Sequence, residues 1–331
     1  MLGWPIAVSP RVPPSNRRRR RASSSRLPAA IAVAVALVAA TLAIDLVVTR
    51  AGHRPAPAPH TKAAQPAPSA SPTPADGAQL AVAGLDPGAC RAYGPTGPGN
   101  GRTIFLDPGH GGPDPGGSGQ LTDGSTVVEK EATLAVAQGL AGLLRADGYR
   151  VVLARTGDTT VARMAESDFD AGALRGSAVH RDLLARIACA NAAGAEVLLA
   201  IHFNAFEDPG ASGSETFFDP ARPFSDRNRK LATSLQSAIT RQLQLDDRGV
   251  TSDEDLSAPT ITDAGAAYGH LIELGPPDPG WVDSPSLMPG ALVEPLFLTA
   301  PDEATLAARP EGRARIARAL ADGLRSYLSR S

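Results

Sequence analysis

From about Gly101 to its end the chain alternates short apolar runs with stretches of helical period, and this narrows its folds more than any other feature. Runs at Thr103–Leu106, Tyr149–Ala154, Val197–His202, Glu215–Phe218, His270–Leu274 and Ala291–Leu298 predict strands by their length and apolar content. Lys130–Arg145, Arg181–Ala193, Ser225–Leu243 and Pro310–Leu328 instead repeat apolar residues every three or four positions, as a helix with one buried face requires. The first carries Leu134, Ala137, Leu140 and Leu144 in such a stripe. Strands parted by helices pack as an α/β domain, here a single one over residues 101–331 with a mixed twisted central sheet covered by helices on both faces. No internal repeat is visible.

The residues ahead of this body read differently. Residues 1–26 form a basic head with seven Arg and no acid. That leaves 25 Lys+Arg against 34 Asp+Glu, about −9 for residues 27–331. Phosphate contacts need clustered Lys and Arg, so a body of this charge argues against nucleic acid as a partner. Leu27–Val48 is a 22-residue run broken only by Pro28, Thr41 and Asp45, and roughly 20 apolar residues span a bilayer as a helix. With Arg17 to Arg21 and Arg26 before it, the positive-inside rule makes residues 27–48 a transmembrane signal anchor, with the body outside the membrane. A cleaved signal peptide is the rival reading, but its apolar core is usually only about 7–15 residues, and no small-x-small cleavage site is evident. Residues 49–100, with seven Pro between Pro55 and Pro74, read as an extended linker outside the membrane.

Within the body, Leu106-Asp-Pro-Gly-His-Gly-Gly112 places His110 just past a strand end, where open α/β sheets bind their ligands. Glu129 opens a helix, where a carboxylate also serves the helix dipole. His202 ends the apolar run Val197–His202, a position that a structural histidine fills as well. Brought to one sheet edge, two His and one carboxylate are the ligand set of a zinc site that keeps an open position. A general base beside such a site has two candidates, Glu273 in His270-Leu-Ile-Glu-Leu-Gly275 and Glu294 in Met288-Pro-Gly-Ala-Leu-Val-Glu-Pro295.

These motifs stand in an order that resembles the zinc-dependent N-acetylmuramoyl-L-alanine amidases, cell-wall hydrolases of the type-3 amidase family. The likeness runs from about Arg102 to the end through LDPGHGG, EKEATLAVAQGLAGLLRADGYRVVLART, RDLLARIACANAAGAEVLLAIHFNA, GSETFF and MPGALVEPLFLTAPDE. It implies one Zn2+ held by His110, Glu129 and His202, with Glu294 as the catalytic glutamate and Glu273 as runner-up. It implies peptidoglycan as the substrate, cut at the amide between N-acetylmuramic acid and L-alanine by a zinc-activated water. Two rivals are another zinc peptidase acting on the stem peptide and a non-catalytic, membrane-tethered peptidoglycan-binding regulator. Thr299-Ala-Pro301 departs from the family's usual Asn-Pro turn, and residues 255–288 form an extra segment.

Two further polar residues have double readings. Asp107 either orients a metal ligand or caps the following turn, and Asn204 either touches substrate or stabilises the loop after His202. Arg155 and Arg186 match family positions expected to form structural ion pairs. Cys90 and Cys189 are the only cysteines, which excludes a disulfide-rich mini-scaffold. Both fall outside the membrane in this topology, so a bridge between them is expected. The alternative is a buried free Cys189 with an exposed Cys90.

Overall fold

The computed structural model describes residues 76–208, 210–256 and 268–330. The basic head, the apolar run 27–48 and the linker up to residue 75 lie outside the described residues. Among the described residues no helix is long and apolar enough to cross a membrane.

The strands are β1 (Ala78–Gln79), β2 (Ala89–Tyr93), β3 (Thr103–Pro108), β4 (Ser118–Gln120), β5 (Thr126–Val128), β6 (Arg150–Arg155), β7 (Phe169–Asp170), β8 (Ala173–Leu174), β9 (Val197–Ile201), β10 (Ser214–Phe218), β11 (Asp247–Ser252) and β12 (Gly290–Glu294). The helices are α1 (Glu129–Ala146), α2 (Gly176–Ala193), α3 (Ser225–Leu243), α4 (Pro301–Ala308) and α5 (Pro310–Leu328). Eight strands form one mixed sheet in the order β1-β2-β6-β3-β9-β12-β10-β11. The central four, β6, β3, β9 and β12, are parallel. β2 pairs antiparallel with β6 and β10 antiparallel with β12, while β11 runs parallel to β10.

Successive strand residues point to opposite faces, and the core divides accordingly. Ile104, Leu106, Val151, Leu199, Ile201 and Val293 pack against α1, α3 and α5. Phe105, Val152, Leu198, Ala200, Phe217 and Leu292 face the other way, toward Cys189 and Ala190 of α2 and toward Leu271, Leu274 and Met288. One face therefore carries three helices; the other carries one helix and an irregular segment. Glu129 and Glu131 in the first turn of α1, with Arg145 in its last, suit the helix dipole. Gly194, at φ +60°, ends α2 in the left-handed turn that glycine allows.

Three expectations are corrected. The fold begins by residue 76 rather than 101, because β1 and β2 extend the sheet beyond β6. These strands are short and set among Gly and Pro, so no apolar alternation marks them. The strand expected at His270–Leu274 is a turn lying on the sheet face. Its backbone bonds close locally, with the Leu274 and Gly275 N–H groups donating to the Leu271 carbonyl. Its apolar side chains are buried without joining the ladder. The last strand stops at Glu294, since Pro295 has no N–H to continue it. Cys90 of β2 and Cys189 of α2 are joined by a disulfide, with Cα atoms 5.7 Å apart.

Candidate metal centre

β3 and β9 are adjacent and parallel, so their C-terminal ends deliver His110 and His202 to one edge of the sheet. The β4–β5 hairpin leads into α1, whose first residue is Glu129. His110 Nε2, His202 Nδ1 and Glu129 Oε1 form a triangle with every side 3.1 Å. Zinc bonds of about 2.0–2.1 Å to N and O ligands in a tetrahedron imply edges of about 3.3 Å, so these three atoms fit one face of such a tetrahedron.

The ligand positions are fixed from behind. Glu129 Oε1 accepts the Phe203 N–H at 2.9 Å and Oε2 accepts the Gly117 N–H at 2.7 Å. His110 Nδ1 faces Asp114 Oδ2 at 2.9 Å, a contact that sets the ring's tautomer and aims Nε2 at the triangle. His110 is held at φ +61°, a conformation that costs a non-glycine residue about 1–3 kcal/mol and persists only where its surroundings enforce it. Two arginines do so. Arg155, fully buried, donates to the carbonyls of Pro108, Gly109, Lys130 and Gly157 at 2.8–3.0 Å. Arg186 bonds the His110 carbonyl at 2.9 Å and the Asp107 and Asp182 carboxylates. Gly109 is required because a Cβ there would sit 2.3 Å from the His202 ring.

The electrostatics follow from this crowding. Burial opposes a charge on His110, but Glu129 and Asp114 outweigh it and bring the imidazole up to about 10. Burial likewise opposes the charge on Glu129, and the two imidazoles overcome it, holding the carboxyl well below its usual range. Such a set has a strong preference for positive charge at its centre.

Glu294 ends β12, beside β9, with Oε2 buried and without a hydrogen-bond partner. Burial pushes its carboxyl well above the usual range, Glu129 and Glu215 push it further, and His110 opposes them. Glu273 answers to a different set. It is raised by burial and by Asp107, with Arg186 opposing. Of the two glutamates, Glu294 is therefore the one in the field of His110 and Glu129.

Asp107 pairs with Arg186 at 2.7 Å. It braces the His110 turn through that guanidinium. Arg186 has the ion pairs expected of it, whereas Arg155 spends its donors on carbonyls, whose convergence at the turn leaves no place for a carboxylate. The Asn204 backbone bonds Leu296 and Leu298, tying the loop after β9 to the chain after β12. Asp114 was not foreseen from sequence. Its position four residues after His110, in His110-Gly-Gly-Pro-Asp114, was the available signal.

The profile of the N-acetylmuramoyl-L-alanine amidase family matches residues 104–326. The chain is 29% identical over 230 residues to the germination-specific N-acetylmuramoyl-L-alanine amidase of Bacillus subtilis, covering 70% of this chain and 81% of that relative. It is also 29% identical to the N-acetylmuramoyl-L-alanine amidase AmiA of Salmonella typhimurium, covering 69% and 77% of the two chains. Among solved structures it is similar to the CwlD amidase of Clostridioides difficile in complex with the GerS lipoprotein. There the TM-score is 0.53 at 25% identity, covering 70% of this chain and all of that one.

Proposed function

The chain belongs to the N-acetylmuramoyl-L-alanine amidase family, and from that premise we propose a zinc-dependent peptidoglycan hydrolase in which His110, Glu129 and His202 hold the metal and Glu294 moves the proton. The bond cut is the amide joining the lactyl group of N-acetylmuramic acid to L-alanine. The 3.1 Å triangle of ligand atoms carries the reading, because two imidazoles and a carboxylate leave a fourth position open. Zinc bound there supplies a Lewis acid that polarises a carbonyl and lowers the pKa of water to about 7.

The chain's own residues do the rest. Glu294 takes the proton of the attacking water and passes it to the leaving amine, a role that suits a carboxyl raised by burial and with one oxygen free of hydrogen bonds. Asp114 holds the His110 ring, and Gly117 and Phe203 hold Glu129. Arg155 and Arg186 keep the Pro108–His110 turn from relaxing when substrate displaces water.

The location follows the same logic. Residues 27–48 tether the catalytic domain to the outer face of the cell membrane, where its polymeric substrate lies. The Cys90–Cys189 disulfide supports an oxidising compartment. Treating the full chain with a chelator should abolish hydrolysis of purified peptidoglycan, and added zinc should restore it. Unchanged hydrolysis after complete metal removal would contradict this reading.

A further inference from the structure

A second group of converging side chains lies far from the first. Asp219 follows β10, Asp253 follows β11, and His270 opens the turn that lies on the sheet face. Asp219 is fully buried and Asp253 is 2% exposed. His270 Nδ1 stands 2.8 Å from Asp219 Oδ2 and 3.6 Å from Asp253 Oδ2. The three ligand atoms lie within 4.8 Å of one another.

Asp219 and Asp253 lie close enough to share a proton, yet the cluster leaves polar atoms over. Asp219 Oδ2, Asp253 Oδ1 and His270 Nδ1 are all buried and make no hydrogen bond, despite the 2.8 Å approach of two of them. Buried polar atoms are nearly always paired, so three orphans in one place ask for a missing partner. The other carboxylate oxygens are already committed: Asp219 Oδ1 accepts the Ala221 N–H and Asp253 Oδ2 accepts the Leu271 N–H.

Charge points the same way. Two buried carboxylates beside one imidazole need a cation or a shared proton to lie together, and burial with Asp219 raises the Asp253 carboxyl to about 8. Arg222 lies in the field of Asp219, but its hydrogen bonds go to the Gly275 carbonyl and to Ser286. Glu254 adds negative charge beside Asp253. One dication with a neutral imidazole would bring the set to zero.

We infer that Asp219, Asp253 and His270 form a second site for a divalent transition-metal ion, structural rather than catalytic. One imidazole with two carboxylates suits a borderline cation such as zinc. Topology separates it from the first centre. Because β10 runs antiparallel to β12, with Glu215 opposite Glu294, Asp219 stands at the edge where β12 begins. Four residue steps of about 3.3 Å put the two edges roughly 13 Å apart, against about 3.5–4 Å for paired catalytic metals. What this ion would hold is the turn from His270 to Gly275, whose Leu271 and Leu274 cover the sheet and whose Glu273 reaches the Asp107–Arg186 pair behind His110.

Counting bound metal in the full chain, stripped and then saturated with zinc, tests this. The wild-type chain should hold two equivalents, His270→Gln and Asp253→Asn one each, and His110→Ala one. The His110→Ala count leaves the second site intact, so it stands even if the other two variants fold poorly. One equivalent in the wild-type chain and none in His110→Ala would overturn the inference. The three side chains would then share a proton rather than a metal.

Discussion

Glu273 is buried and Glu294 half-buried, both are raised in pKa, and their neighbours tell them apart. Glu294→Gln keeps the shape but cannot accept a proton, so activity should fall by about 10²–10⁴-fold while zinc stays bound. Glu273→Gln should cost far less in rate, because that side chain serves the Asp107–Arg186 brace. Steady-state rates with metal analysis on both variants check this, and exchanged phenotypes would make Glu273 the base. Asp114→Asn should weaken zinc binding by about 10–100-fold, as is usual when a ligand histidine loses its carboxylate. Competition with a chelator of known affinity measures it; unchanged affinity would remove Asp114 from the site. The convergence of His110, Glu129 and His202 could be read from sequence because each sits where a strand ends or a helix begins. Asp114 had only its spacing from His110 to mark it, since its contact exists only once the chain has doubled back on the left-handed His110.

Elements with strong periodicity could be read almost to the residue, and those set by tertiary context could not. α3 and α5 fall where the apolar repeat put them, because one face of each meets the core. β11 escaped notice as a polar, half-exposed edge strand with no alternation to reveal it. His270–Leu274 misled in the opposite direction. Its buried leucines look like strand residues, but it covers the sheet instead of joining it. The disulfide between β2 and α2 ties the sheet's added edge to the domain and closes a loop of 99 residues. Bridges typically contribute about 2–4 kcal/mol, and the chain-entropy ceiling for this loop is near 4.7. A Cys90→Ser, Cys189→Ser double variant should therefore melt several degrees lower. Thiol titration of the denatured, unreduced chain should find none, and two free thiols would contradict the bridge.

At the scale of the whole molecule, a basic head, an apolar run and a Pro-rich spacer precede a hydrolase domain bearing a disulfide. The tether proposed for residues 27–48 would hold that domain against an insoluble polymer outside the cell. The full chain should sediment with membranes and resist salt extraction, and deleting residues 1–48 should release it with its catalytic rate on soluble fragments unchanged. Recovery of the intact chain in the soluble fraction would contradict the tether. The central claim concerns one bond, and mass spectrometry of peptidoglycan digested by the full chain reads that bond directly. The expected products are stem peptides with a free L-alanine amino terminus and glycan strands whose N-acetylmuramic acid carries a free lactyl carboxylate. Muropeptides still joined through that amide, with cuts only within the stem or between sugars, would contradict the account.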